Sequence, residues 1–260
     1  MAATATQSGR GERSGPRAAR WSLGGVLQGL GTAVGLVAMI GGFALLAVQY
    51  RPYSVPTDSM EPTIAAGSTV LAHPVKPADI GRGDIVIFND PLWEGSNLVK
   101  RVVAVGGDTV ACCDSDGRIT VNGHPITEPY LTPAGSTDPV PEISFNEVVP
   151  TGRLFLLGDN RAVSQDSRLH LTVDGGTVPA TEVKARVEGI AWPLGSAGTI
   201  PRTSAFDALP GRDASPHGPL APEFWAVVGG AALVLLTAAM GTFGGLVRRR
   251  GTGRGTGGRE

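Results

Sequence analysis

Two residue types in this chain could together perform covalent chemistry without a cofactor: a serine held on a stiff loop and a lysine set in an apolar strand. In Pro56-Thr-Asp-Ser-Met-Glu-Pro-Thr-Ile64 the serine, Ser59, lies between prolines that fix the backbone on both sides. A rigid loop suits a nucleophile, although Ser, Thr and Pro are also what any polar loop contains. In Asn97-Leu-Val-Lys-Arg-Val-Val-Ala-Val-Gly-Gly-Asp108 the lysine, Lys100, sits in a strongly apolar strand. A lysine in such a strand commonly points to solvent. Turned inward, it is desolvated, its ammonium form is disfavoured, and a neutral amine becomes available as a general base. A serine beside such an amine is an activated nucleophile. The third segment, Gly158-Asp-Asn-Arg-Ala-Val-Ser-Gln-Asp-Ser-Arg168, alternates acids, arginines and hydroxyls. It suits either a buried polar network or a solvated turn with surface ion pairs, and composition leaves both open.

These segments need positioning elements. The 260 residues suffice for one sizeable domain plus accessories, and a 42% hydrophobic content with a net charge of −1 argues against disorder. The apolar residues are segregated. From Trp21 to Tyr50 no residue is charged, and a second uncharged run extends from Phe224 to Val247. Each exceeds the roughly 20 residues that a transmembrane helix needs, and the first is longer than the apolar core of a cleavable signal peptide. Arg10, Arg13, Arg17 and Arg20 precede the first run, while Arg248, Arg249, Arg250, Arg254 and Arg259 follow the second. The positive-inside rule then puts both basic tails, 1–20 and 248–260, in the cytoplasm and residues 51–223 across the membrane, with Trp21, Tyr50 and Trp225 at the interfaces. Gly31 to Gly35 and Gly241 to Gly245 match the small-xxx-small packing pattern, which segments this rich in Gly and Ala produce by chance.

Between the spans the periodicity is that of strands, over Ser68–His73, Asp84–Phe88, Leu98–Val105, Asp108–Cys112, Arg118–Asn122 and Arg153–Leu157. Asn122-Gly123 is the best tight-turn signal. The reading is an all-β, mainly antiparallel domain over 51–195, flanked by transmembrane helices at 21–50 and 224–247. The Pro/Gly-rich stretch 196–223 reads as a tether to the second helix, and Thr132 to Pro141 as a surface loop. The only cysteines, Cys112 and Cys113, are adjacent: too few for a metal site, capable of a vicinal disulfide, and read as two small residues packed near a turn. No metal or cofactor is expected.

The order of the motifs narrows the reading. Ser59-Met-Glu-Pro-Thr63, Gly83-Asp-Ile-Val-Ile-Phe88, Lys100-Arg101 leading to Gly107-Asp108, and Gly158-Asp-Asn-Arg161 with Ser164, Asp166, Ser167 and Arg168 together resemble the signature boxes of bacterial type I signal peptidases, across most of 53–193. The resemblance implies a Ser-Lys serine endopeptidase with an antiparallel β-sheet catalytic domain. It implies Ser59 as nucleophile, Lys100 as general base, Thr57 with the Ser59 N–H as oxyanion hole, Ser164 as the hydroxyl orienting the lysine, and Asp166, Arg168 and Arg101 as a supporting ion-pair network. The family's shallow subsites for small residues map onto Val55, Pro56, Met60, Ile64, Leu98 and Val99. A Lys at position 100, where the eukaryotic and archaeal branch carries His, places the chain in the bacterial branch.

The partners so implied are precursor proteins bearing signal peptides, cleaved after Ala-x-Ala-type sites, together with membrane lipid and proximity to the export translocase. No nucleic acid is expected, since about 20 residues ahead of the first span leave no room for a DNA-binding domain. A membrane-tethered domain that binds a cell-envelope partner without catalysis is the competing reading, and the intact Ser59, Lys100 and Ser164 argue against it. One departure from the family pattern is visible: Leu169 to Gly175 intervene between Arg168 and Gly176-Thr-Val-Pro179, a lengthened loop.

Overall fold

The computed structural model describes residues 23–93, 95–131, 143–211, 218 and 220–252, the last ten without their side chains. The basic tail 1–20, Trp21, the loop at Thr132 to Pro141 and residues 253–260 of the C-terminal tail lie outside the described residues. The chain divides into two compact units, Ile40–Val227 and the remainder.

Two helices, α1 (Leu23–Gln49) and α2 (Leu220–Thr252), are long and apolar enough to cross a membrane. In the smaller unit they approach through small residues. A Cβ on Gly35 would lie 2.9 Å from the Gly230 carbonyl oxygen, one on Gly230 would lie 2.6 Å from that of Gly35, and one on Gly31 would lie 2.8 Å from Thr237. The Thr32 and Thr237 hydroxyls meet at 2.9 Å. Gly31 and Gly35 are therefore a contact face and no accident of composition, because only residues without a side chain let the backbones come this close.

Among the described residues the larger unit carries twelve strands: β1 (Arg51–Val55), β2 (Ser68–His73), β3 (Ile85–Phe88), β4 (Leu98–Val105), β5 (Thr109–Cys112), β6 (Thr120–Val121), β7 (His124–Pro125), β8 (Phe145–Val148), β9 (Arg153–Leu157), β10 (Thr177–Pro179), β11 (Val183–Trp192) and β12 (Gly198–Thr199). All pairings are antiparallel. One sheet runs β1-β2-β11-β3-β4-β9-β10 with β12 on β11, and the other runs β7-β6-β5-β8. Val103, Ala104, Phe155 and Leu157 of the first sheet share a buried cluster with Val110, Val121 and Phe145 of the second. The tight turn falls where expected, with Asn122 and Gly123 at φ 54° and 78° joining β6 to β7.

Four expectations are corrected. The stretch expected to be a tether packs in part: β12 pairs with β11, while Phe206 and Leu209 sit at 2% and 6% exposure in the cluster between the sheets. A few spaced apolar residues anchor a segment whose average composition is that of a linker. Cys112 and Cys113 are joined as a disulfide, each being the other's only possible partner. Tyr50 is not an interfacial aromatic, since it is buried and its hydroxyl donates to Glu188 Oε2 at 2.8 Å. The second helix also begins before Phe224: Glu223, whose charge set the expected boundary, lies in its first turn and accepts from Gln49 Nε2 at 2.6 Å.

Glu188 gathers the buried polar groups of this region. Besides Tyr50 it accepts from Arg186 at 3.0 Å and from the Gly218 N–H at 2.8 Å. Burial alone would raise its pKa; these donors together hold it below the usual carboxylate value. Asp84 fares differently. Its Oδ2 accepts from the Gly81 N–H at 2.9 Å, but Oδ1 makes no hydrogen bond among the described residues and stands 3.8 Å from Arg186. Burial pushes its pKa up to about 6, against the opposing pull of the Gly81 N–H and Arg186.

A carboxyl with a raised folded-state pKa binds its proton more tightly folded than unfolded. Its contribution to stability is therefore complete below the unfolded value of 3.8 and is lost as pH rises through about 6. Asn at this position does not titrate. Asp84→Asn should gain stability relative to wild type as pH is raised from 4 to 8, by up to about 3 kcal/mol, in denaturant titrations at each pH. A pH-independent difference would contradict the assignment.

Candidate active site

Ser59 sits in the loop that joins β1 to β2. Both ends are closed by the ladder at Val55↔Ser68 and by the Gly67 N–H to Val55 carbonyl bond at 2.8 Å. Within it the Glu61 N–H bonds the Asp58 carbonyl at 3.0 Å and the Ile64 N–H bonds that of Met60 at 2.9 Å. Met60 and Ile64, both at 0% exposure, pin the loop into the core beside Val55 and Val99. Lys100 lies on β4, opposite Val86 of β3. It points inward: the residue is 4% exposed, Ser59 is 7% exposed, and Lys100 Nζ donates to Ser59 Oγ at 2.9 Å. Thr57 Oγ1 stands 3.2 Å from Ser59 Oγ, and the Thr57 residue itself is exposed.

The third segment folds over this pair after β9 and is a buried network. Gly158 fits because it has no side chain; a Cβ there would lie 2.5 Å from the Ser59 carbonyl oxygen and would strike Ser164. Ser164 is 4% exposed and its Oγ makes no hydrogen bond among the described residues, so it neighbours the Ser59 loop without bonding the lysine. Ser167 Oγ is committed elsewhere, accepting from the Leu156 N–H at 2.8 Å. Asp166 takes a two-pronged bond from Arg168, at 2.8 and 2.9 Å, and a third from the Gly158 N–H at 3.1 Å.

Arg101 does not join Asp166 and Arg168. It makes its own two-pronged pair with Asp159, at 2.8 and 2.6 Å, and donates to the Gly83 carbonyl at 3.0 Å. Asp159 also accepts from Thr63 in the Ser59 loop. Sequence reasoning gave no role to Asp159, Thr63 or Tyr130, whose ring lies 3.9 Å beneath the Arg101 guanidinium. The signal was present for Asp159, an acid in the same box as Asn160 and Arg161. Tyr130 lies far from every motif.

Of the residues expected to form the substrate pocket, Val55, Met60, Ile64 and Val99 come together in one cluster. Leu98 packs in another, with Val86, Val102 and Trp93, because neighbouring residues on a strand face opposite ways. Pro56 is exposed beside Thr57. The lengthened loop forms two short 3-10 turns at Ser167–Leu169 and Asp174–Gly176. It is tied down by His170 stacked on Trp93 at 4.2 Å and by the Asp174 to Arg153 ion pair.

Arg101 and Asp159 are both almost fully buried. Asp159→Ala leaves an uncompensated guanidinium inside and should cost about 3–5 kcal/mol in urea unfolding, whereas replacing both by apolar residues of similar size should recover most of it. Equal losses in the single and double variants would show that the pair is not the source of the cost.

The family model described as "Signal peptidase, peptidase S26" matches residues 27–192. The signal peptidase I of Mycobacterium tuberculosis is 33% identical over 214 residues, spanning 64% of this chain and 72% of that protein. The signal peptidase I of Bacillus licheniformis is 32% identical over 140 residues, spanning 51% and 74%. A crystal structure of a signal peptidase I from Enterococcus faecalis is 29% identical and covers 41% of this chain and 95% of that one, at a TM-score of 0.34. With its motifs in order and its family match over more than half its length, the chain belongs to the signal peptidase family, peptidase S26.

Proposed function

We propose that this peptidase is a membrane-anchored serine endopeptidase of the bacterial type I class, which removes signal peptides from exported precursors through a Ser59 acyl-enzyme with Lys100 as general base. The observation that carries the reading is the 2.9 Å contact between two buried side chains, the Lys100 amine and the Ser59 hydroxyl. In the reactive state the amine is neutral. Lys100 Nζ takes the Ser59 proton as Oγ attacks the carbonyl carbon of the scissile bond. The tetrahedral oxyanion is met by the Ser59 N–H and the Thr57 hydroxyl. The bond to the leaving nitrogen breaks as the lysine returns its proton to that nitrogen, freeing the mature protein. Water, deprotonated by the same amine, then hydrolyses the ester and releases the signal peptide. Ser164 is assigned to orient the lysine during this cycle, through a bond that forms on substrate binding.

Specificity for small residues is assigned in this reading to the apolar cluster of Val55, Met60, Ile64 and Val99, on which the Ser59 loop packs. The precursor binds as an extended strand, its backbone bonded to the protein and alternate side chains read by the pocket. Both termini are cytoplasmic and the β domain is extracytoplasmic, where precursors emerge near the export translocase.

Lys100→Arg keeps charge and donor capacity, but a guanidinium does not deprotonate at usable pH. With purified protein and a precursor bearing an Ala-x-Ala site, the variant should be folded by circular dichroism yet inactive from pH 6 to 10, while the wild-type rate rises with pH as the amine loses its proton. An active Lys100→Arg enzyme would falsify the dyad. Thr57→Val, which removes one donor and keeps the shape, should lower kcat about 100- to 1,000-fold with little change in KM, and Thr57→Ser should retain most activity. Wild-type kcat in Thr57→Val would remove Thr57 from the oxyanion hole.

A further inference from the structure

Asn160 touches the nucleophile's backbone on both sides. Its main-chain N–H donates to the Ser59 carbonyl at 3.0 Å, and its side-chain Nδ2 donates to the Asp58 carbonyl at 3.3 Å. Its own carbonyl accepts from the Ser164 N–H at 3.0 Å, so the residue is itself fixed within the polar network behind the site. The Asp58 carbonyl and the Ser59 N–H belong to one peptide unit. That unit is planar, so fixing the direction of its carbonyl fixes the opposite direction of its N–H. A hydrogen bond accepted by the carbonyl also draws charge from the amide and strengthens its N–H as a donor.

From this geometry we infer that Asn160 is a positioning residue for the oxyanion hole: together with the Glu61 N–H, which donates to the same carbonyl at 3.0 Å, it aims and polarises the Ser59 N–H through the Asp58 carbonyl. The inference rests on the Ser-Lys reading above. Only a donor serves at this position. The amide orientation is set by its partner, because the alternative would turn Oδ1 against the Asp58 carbonyl oxygen. An Asp of the same shape would present a charged acceptor there and repel it. A short polar side chain is also required, since Asn160 must reach the Asp58 carbonyl while its own N–H stays on the Ser59 carbonyl one residue further along.

A residue that acts only through the oxyanion donor affects the transition state and not the ground state. Losing one hydrogen bond of this kind should lower kcat about 3- to 10-fold in Asn160→Ala, with KM within twofold of wild type. The discriminating readout is inhibition by two peptides of one sequence. One carries a C-terminal boronic acid that forms a tetrahedral adduct with the serine; the other is the free cleavage product. Affinity for the boronate should fall by the same factor as kcat, affinity for the product should be unchanged, and the melting temperature should stay within a few degrees. Asn160→Asp, near-isosteric and with its backbone bonds intact, should lose at least as much kcat at neutral pH.

A wild-type kcat in Asn160→Ala overturns the inference. So does a loss that appears in KM and in product affinity, or loss of folding in both variants, either of which makes the residue a structural support. A wild-type enzyme that fails to cleave the precursor sinks the Ser-Lys reading instead, which keeps the two failures apart.

Discussion

A lysine amine from a strand and a serine hydroxyl from a loop far away in sequence are held in contact away from water, and the rest of the β domain can be understood from what that contact demands. The amine comes from β4, in the interior of the larger sheet, where flanking strands on both sides fix the backbone. The hydroxyl comes from a loop, which has no ladder of its own and must be fixed by other means. Met60 and Ile64 fasten it to the core, Thr63 ties it to Asp159, and Asn160 bonds the backbone on either side of Ser59. A shift of the loop by one ångström would lengthen the Lys100 to Ser59 contact beyond a useful hydrogen bond.

Charge burial explains the residues packed around this pair. Arg101 follows Lys100 directly on β4, so its side chain takes the other face and is buried as well. A buried guanidinium is tolerable only if its donors are satisfied, which the carboxylate of Asp159, the Gly83 carbonyl and the Tyr130 ring achieve. Asp166 and Arg168 repeat the device one segment further along and hold Gly158 against the Ser59 carbonyl. Asp108, bound by Arg82 and Asn122, repeats it again at the far end of β4; burial raises its pKa, and those donors with the Val105 N–H outweigh that and hold it low. The motif boxes thus mark where the interior carries charge.

Much of this was legible in the sequence. The bounds of β2, β4 and β9 fall where apolar periodicity puts them, because their core-facing positions are filled largely by Val, Leu, Ala and Phe. The longest strand, β11, escaped the pattern because it carries Arg186 and Glu188; two residues apart they share a face, where they pair with each other, so a charged stretch is as buried as an apolar one. Tyr50 was misplaced for a similar reason, since its partner Glu188 lies far along the chain. At the site, motif order singles out Ser59 and Lys100, which the structure brings into contact, whereas the partition of arginines between Asp159 and Asp166 depends on side-chain directions that no spacing specifies. Leu98 and Val99 show the converse case: strand alternation, known before any coordinates, already forbids them to line one pocket.

The central claim, a serine acylated with a lysine as its base, is tested most directly by trapping the covalent intermediate. Wild-type enzyme mixed with excess precursor, quenched in acid within one turnover and digested, should yield by mass spectrometry a peptide containing Ser59 with the signal peptide attached as an ester. The adduct should be absent from Ser59→Ala. Efficient cleavage with no adduct at any quench time, or an adduct mapping to another residue, would contradict the account.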